Sequence, residues 1–144
     1  VWGGNYFPEL RQCRCYIIWD KVAKMDSLAD SEFAWTSFDS NAKTFSHVRN
    51  TSEKRIHITQ KPVALYKWIL TNYAKPGHKI FDPMMGSQSS RIAAYDMGFD
   101  YWGCEKDSDY FRDGEARFKK HVANKTTLFA PEQMYNFEQT KLDL

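Results

Sequence analysis

No stretch of this chain is apolar for long enough to cross a bilayer. The longest apolar runs, Val63–Tyr66 and Trp68–Leu70, fall far short of the ~20 residues a spanning helix needs. Cysteine is scarce and odd in number: Cys13, Cys15 and Cys104. With no secretion signal ahead of them, they predict free thiols in a reducing, cytoplasmic setting. Cys13-Arg14-Cys15 has the wrong spacing for a zinc knuckle, and no nearby His/Cys pair completes four ligands, so no metal is expected. Val1-Trp2-Gly3-Gly4 has no basic region, no apolar core and no starting Met, so it reads as neither a signal peptide nor a natural translation start. Excess charge is lacking too. Twenty Lys and Arg against 18 Asp and Glu leave a net charge of +2. That balance demands no anionic partner, while leaving room for a local basic face.

What is present fits one globular domain. The chain has 144 residues, 42% hydrophobic and 26% charged, which suffices for a sizeable core and excludes disorder across its whole length. Aromatic residues make up 16%. Rings of this number read first as core and second as stacking surfaces for bases.

The first forty residues predict strands and loops. Cys15–Asp20 is a short apolar run, Val1–Gly4 reads as the end of another strand, and Glu32–Phe38 is a third. Ser40–Arg55 is polar with a basic bias and reads as a surface segment. The second half alternates more cleanly. A helix starts at Pro62 and ends at Pro76-Gly77; Lys79–Asp82 is a strand; Ser89–Met97 is a helix with Gly98 as its C-cap. Phe99–Glu105 is the next strand, and Ser108–Val122 a helix that Gly114 weakens. Residues 124–144 read as a terminal helix or a tail. Helix–strand–helix–strand–helix predicts an α/β layer with a parallel sheet.

The most informative stretch is Ile80-Phe81-Asp82-Pro83-Met84-Met85-Gly86-Ser87-Gln88-Ser89-Ser90. A strand ends in an acid, and a turn containing Gly86 leads to a helix N-terminus. Gly86 lets a ligand approach the backbone, and the helix start offers free N–H groups. The next strand ends in Glu105, an acid suited to ribose hydroxyls. Upstream, Thr59 or Gln60 falls at a helix boundary, where capping is the plain reading, and Lys61 alone reads as a surface lysine. Those residues leave open an α/β protein that uses the same turn for another nucleotide.

His57-x-Thr59-Gln60-Lys61-Pro62-Val63, then Phe81-Asp82-Pro83-x-x-Gly86-Ser87, then Gly103-x-Glu105 resembles the S-adenosylmethionine-dependent DNA amino-methyltransferases. These enzymes methylate adenine N6 or cytosine N4. The motif order resembles the permuted β subclass, and Trp2-Gly3-Gly4-Asn5-Tyr6-Phe7 is similar to phage-type adenine methylases. The resemblance runs over roughly Val1–His121. It implies a Rossmann-like α/β sheet with flanking helices, S-adenosylmethionine as cofactor and double-stranded DNA as partner. It implies a partial methyltransferase domain over 1–123, with 39–55 a short target-recognition-like loop and 56–123 the cofactor-binding half. The cofactor residues it implies are Thr59, Gln60 and Lys61 near the methionine carboxylate, Asp82 near the methionine amino group, Pro83, Gly86, Ser87 and Ser89 around the turn, and Glu105 at the ribose. Lys43, His47, Arg49, Lys54 and Arg55 are the candidate phosphate contacts, in the whole enzyme or in a non-catalytic DNA-binding module.

Two departures carry expectations. The family usually has a second Gly after Gly86-Ser87, where this chain has Gln88; a side chain there can crowd the cofactor or bend the turn. The family also acts through an Asp/Asn/Ser-Pro-Pro-Tyr/Phe loop, which holds and stacks the flipped base. The five prolines here, Pro8, Pro62, Pro76, Pro83 and Pro131, are all isolated, so no catalytic residue is assigned. The chain reads as a C-terminal fragment without the catalytic strand, inactive by itself. Loss of that strand exposes sheet edges, and the remaining strands are expected to close up, swap or dimerise.

Overall fold

Cys15, Ile17 and Trp19 are buried while Tyr16, Ile18 and Asp20 are half-buried, the two-residue alternation of a strand with one covered face. They lie in and next to β1 (Tyr16–Asp20). The computed structural model describes residues 1–22, 29–48 and 55–128. Arg49, Lys54 and residues 129–144 lie outside the described residues. The chain divides into two compact units, Val1–Arg55 with Lys61–Pro76, and Ile56–Gln60 with Gly77–Leu144.

In the first unit, β2 (Ser31–Trp35) pairs antiparallel with β1, from Tyr16↔Trp35 to Asp20↔Ser31. β3 (Lys43–Ser46) pairs parallel with β1 on its other side, giving the order β2-β1-β3. β3 corrects the expectation of a plain surface segment over Ser40–Arg55. Of its four residues only Phe45 is half-buried, against the Trp68 ring at 5.5 Å, so a polar sequence conceals an edge strand. Val1–Gly4 makes one bridge, Trp2↔Ala34, and then turns into a 3-10 turn at Gly4–Tyr6 rather than forming a strand.

The helix α1 (Val63–Tyr73) also belongs to the first unit and buries Leu65 and Leu70. Its Tyr73 ring stacks on Phe38 at 4.7 Å, and its hydroxyl lies 3.7 Å from the buried Cys15 thiol. Burial and that thiol push the Tyr73 hydroxyl up to about 12. Pro62 is the N-cap, and no side chain caps the helix. Thr59 and Gln60 therefore do not cap it. The Gln60 Oε1 accepts the Ile56 amide at 3.0 Å instead.

In the second unit, β4 (Lys79–Asp82) and β5 (Asp100–Gly103) pair in parallel, from Lys79↔Asp100 to Asp82↔Gly103. Between them runs α2 (Ser89–Asp96), whose Ile92, Ala93 and Ala94 are buried. Gly98, one residue beyond the C-cap Met97, takes φ +73°, the left-handed turn that ends many helices. α3 (Ser108–Leu128) runs six residues past its expected end at Val122. His121 and Lys125, one turn apart, both reach Asp96, at 2.8 and 2.7 Å, and tie those last turns to α2. The described strands thus form two sheets, and β4 pairs with β5 alone. The second edge of β4 carries no ladder among the described residues.

Candidate functional site

Parallel pairing of β4 with β5 brings two carboxylates to the same end of the sheet. Asp82 ends β4, and Glu105 follows β5 by two residues. The pairing continues past the strands, since the Cys104 amide donates to Asp82 O at 3.0 Å and the Met85 amide to Cys104 O at 3.0 Å. The turn from Pro83 to Gln88 therefore lies beside the Glu105 segment. Gly86 takes φ +48°, which favours glycine, and its amide donates to Glu105 Oε2 at 2.8 Å. The Asp107 amide donates to Glu105 Oε1 at 3.0 Å. Asp82 is held as firmly: the Met84 amide donates to Oδ1 at 3.1 Å and the Ser90 hydroxyl to Oδ2 at 2.6 Å. The Ser90 hydroxyl also lies 3.0 Å from the Tyr101 hydroxyl. Burial raises the Tyr101 phenol well above its usual range, and Asp82 nearby adds to it. Pro83 is exposed at the tip of the turn.

Gln88 is the N-cap of α2 and adopts the left-handed φ of +60° that a glycine would take. Its amide donates to Met85 O at 2.8 Å, which closes the turn. Its side chain is fully buried and points to α3, between Arg91, whose Nη1 donates to Oε1 at 2.8 Å, and Glu115, which accepts from Nε2 at 3.2 Å. The side chain leaves the turn and fills space beside Gly114. From α3, Arg117 donates to Ser87 O at 2.6 Å and to Ser89 Oγ at 2.9 Å. Ser87 and Ser89 share a further bond at 3.2 Å, and no side chain caps the first turn of α2.

The His57–Thr59 loop completes this side. The His57 ring lies 3.4 Å from the point where a Gly86 Cβ would be and 4.2 Å, centre to centre, from Tyr110. The Thr59 amide donates to its Nδ1 at 3.2 Å, which places the ring proton on Nε2. The structure thus brings Thr59, Gln60, Asp82, Pro83, Gly86, Ser87, Ser89 and Glu105 into one unit.

Lys61 belongs to the other unit and is no ordinary surface lysine. Its ammonium bonds Glu32 Oε2 at 3.0 Å and lies 5.1 Å from the Trp2 ring centre. Lys21 takes the other oxygen of Glu32 at 3.1 Å. Burial opposes the charge on Glu32, yet Lys61 and Lys21 together hold its carboxyl below the usual range. Sequence reasoning missed Lys21 and Glu32, and it missed Ser90, Tyr101, Glu115 and Arg117; no spacing rule points to any of them.

Among the basic candidates, Lys43 donates to Asn72 Oδ1 at 2.9 Å and lies over the Tyr73 ring. The His47 ring bonds Val48 O at 2.6 Å. Arg55 is exposed and has an interaction of its own. Among the described residues no group of three metal-ligating side chains occurs, and no helix is long and apolar enough to cross a membrane.

This arrangement sets two hydrogen-bonded carboxylates at the carboxyl ends of neighbouring parallel strands. A carboxylate has about four acceptor positions, so Glu105 keeps capacity beyond its two amides. Crevices at the carboxyl ends of parallel strands are where such folds bind nucleotides.

A family model described as DNA methylase matches residues 4–116. The chain is 27% identical over 77 residues to the type II methyltransferase M.HinfI of Haemophilus influenzae, covering 54% of this chain and 21% of that protein. It is 35% identical over 66 residues to the putative methylase YubD of Escherichia coli, covering 46% of this chain and 29% of that protein. The chain therefore spans less than a third of the length of these relatives. Its fold is similar to that of M1.HpyAVI solved as a SAM complex, with TM-score 0.56 and 23% identity, covering 71% of this chain and 60% of that one. A second structure of M1.HpyAVI gives TM-score 0.50 and 26% identity, covering 72% and 57%.

Proposed function

From the premise that the chain belongs to the DNA methylase family, we propose that it is the cofactor-binding portion of a DNA amino-methyltransferase. Its ligand is S-adenosylmethionine, which supplies an electrophilic methyl group. The acceptor is adenine N6, or cytosine N4, in double-stranded DNA, in a phage-borne or restriction–modification enzyme of the bacterial cytoplasm. Glu105 accepts the ribose hydroxyls. Asp82 accepts the methionine amino group. Gly86 brings backbone against the ligand, flanked by Pro83, Ser87 and Ser89. The resemblance adds Thr59, Gln60 and Lys61 at the methionine carboxylate, and Lys43, His47, Arg49, Lys54 and Arg55 as phosphate contacts.

The observation that carries this reading is the 2.8 Å bond from the Gly86 amide to Glu105. It joins the glycine turn after one strand to the acid after the next, the two halves of a nucleoside site. The chain contributes positioning, and none of its residues is assigned to hold the target base. The 144-residue chain alone is therefore expected to leave DNA unmethylated. Among the described residues β4 pairs with β5 alone, and its second edge offers a place for a strand of a second copy.

Calorimetric titration of the chain with S-adenosylhomocysteine and with NAD tests the reading. Binding of S-adenosylhomocysteine and none of NAD supports it. A preference for NAD overturns it, and methyl incorporation into unmethylated plasmid by this chain overturns the assignment of inactivity. A stand-alone DNA-binding module is the weaker reading, because Lys43 and His47 already have partners within the protein.

A further inference from the structure

Gly114 lies inside α3, where alanine ordinarily favours a helix. It is buried, and the reason is the Gln88 side chain. A Cβ on Gly114 would fall 2.8 Å from both Cγ and Nε2 of Gln88 and 3.0 Å from its Cδ, distances that require something to move. Gln88 has little freedom to do so. It is fully enclosed, and its amide group is bonded at both ends, to Arg91 and to Glu115. Its left-handed backbone also fixes the direction in which the side chain leaves the turn.

We propose that Gly114 is a positioning residue for the ligand turn, acting through Gln88. The notch left by its missing side chain takes up the Gln88 side chain and so fixes the turn from which Gln88 leaves. Without the notch, Gln88 is driven back over the turn to which its own backbone belongs. Arg117, three residues along α3 from Gly114, works in the same sense by holding Ser87 O and Ser89 Oγ from the helix side. A glycine on a separate helix thus makes the space that the Gln88 side chain occupies. The inference rests on the proposed cofactor site.

The test uses the 144-residue chain as Gly114→Ala, Gln88→Gly and the double variant, read by S-adenosylhomocysteine titration and by thermal midpoint. Gly114→Ala is expected to lower the midpoint, against the usual sign for this change in a helix. It is also expected to weaken binding about tenfold or more, and Gln88→Gly alone is the reference against which the double variant is compared. Adding Gln88→Gly to Gly114→Ala should restore both readings; a general packing defect in α3 would not be rescued from the turn. Parental affinity in Gly114→Ala, or a double variant as weak as that single one, overturns the proposal. If Gly114→Ala does not fold, a folded and binding double variant supports the proposal and an unfolded one overturns it. Failure of the parent chain to bind S-adenosylhomocysteine sinks the cofactor site and the ligand half of this proposal with it. The Gly114–Gln88 notch is then judged on the midpoints alone.

Discussion

The backbone amide of Gly86 donates to Glu105 Oε2 at 2.8 Å, so one carboxylate closes the glycine turn from the neighbouring strand. Its other oxygen takes the Asp107 amide, which leads into α3. Replacement by glutamine puts an NH2 group against one of two N–H donors and removes the charge. Glu105→Gln is expected to weaken S-adenosylhomocysteine binding by roughly ten- to a hundredfold, as loss of a charged hydrogen bond predicts. Titration calorimetry reads the loss, and an unchanged affinity would remove Glu105 from the ligand site.

The Ser90 hydroxyl is shared between Asp82 Oδ2, at 2.6 Å, and the Tyr101 hydroxyl, at 3.0 Å. Ser90 is buried, so neither partner regains water freely when it is removed. Ser90→Ala should cost about 2 kcal/mol in urea unfolding, with Tyr101→Phe costing about 1 kcal/mol. Ser90→Thr, which keeps the hydroxyl, should fall between Ser90→Ala and the parent. Equal losses for Ser90→Ala and Ser90→Thr would show that shape, not the bond to Asp82, matters here.

These partners explain what could be read in the sequence. β4 matches the predicted Lys79–Asp82, and the turn after it is where the motif placed it, because a strand, a glycine turn and a helix start are all local signals. β3 was hidden because an edge strand with one half-buried residue has no apolar alternation to show. The end of α3 was hidden because Asp96, on another helix, sets it. Gln88 stands out in the sequence as a departure, but its side chain packs beside Gly114, and no local pattern links a turn to a gap on a distant helix. The Lys61 motif was visible, whereas its bond to Glu32 exists only once β2 and the start of α1 have folded into one unit.

Gly4 makes a close approach that leaves no room for a side chain. A Cβ there would lie 2.4 Å from Trp35 Cβ and 3.0 Å from Trp35 N, and the latter amide already donates to Val1 O at 2.9 Å. Backbone offers no rotamer by which to yield. Gly4→Ala should destabilise the chain by about 2 kcal/mol, the scale of overpacking in a filled interior. Gly77→Ala is the contrast in space, since nothing lies within 4 Å of its Cβ position, although its φ of +84° still imposes backbone strain. Chemical denaturation of the two variants separates the effects: added loss at Gly4 is expected to come with displacement of the Trp35 environment, seen in fluorescence, and Gly77→Ala is expected to leave that signal unchanged.

Glu32 carries two lysines whose side chains are only 7% and 10% exposed, so it is the counter-charge for ammonium groups that water hardly reaches. Burial works to raise its carboxyl pKa, and the attraction and hydrogen bonds of Lys61 and Lys21 overcome that and lower it. A carboxyl whose folded pKa lies below its unfolded one binds fewer protons when folded, so it stabilises the fold at higher pH. That contribution is complete above the unfolded value, about 4.3 for glutamate, and disappears as pH falls through the depressed folded value. At neutral pH, Glu32→Gln should cost about 2–4 kcal/mol, mostly from the two ammonium groups left without a counter-charge. On acidification below the normal glutamate range, the parent chain should lose stability faster than Glu32→Gln, so the gap between them narrows. Urea midpoints of both chains at matched pH values measure that gap, and parallel curves through the acid range would show that Glu32 is not charged against Lys61 and Lys21 in the folded chain.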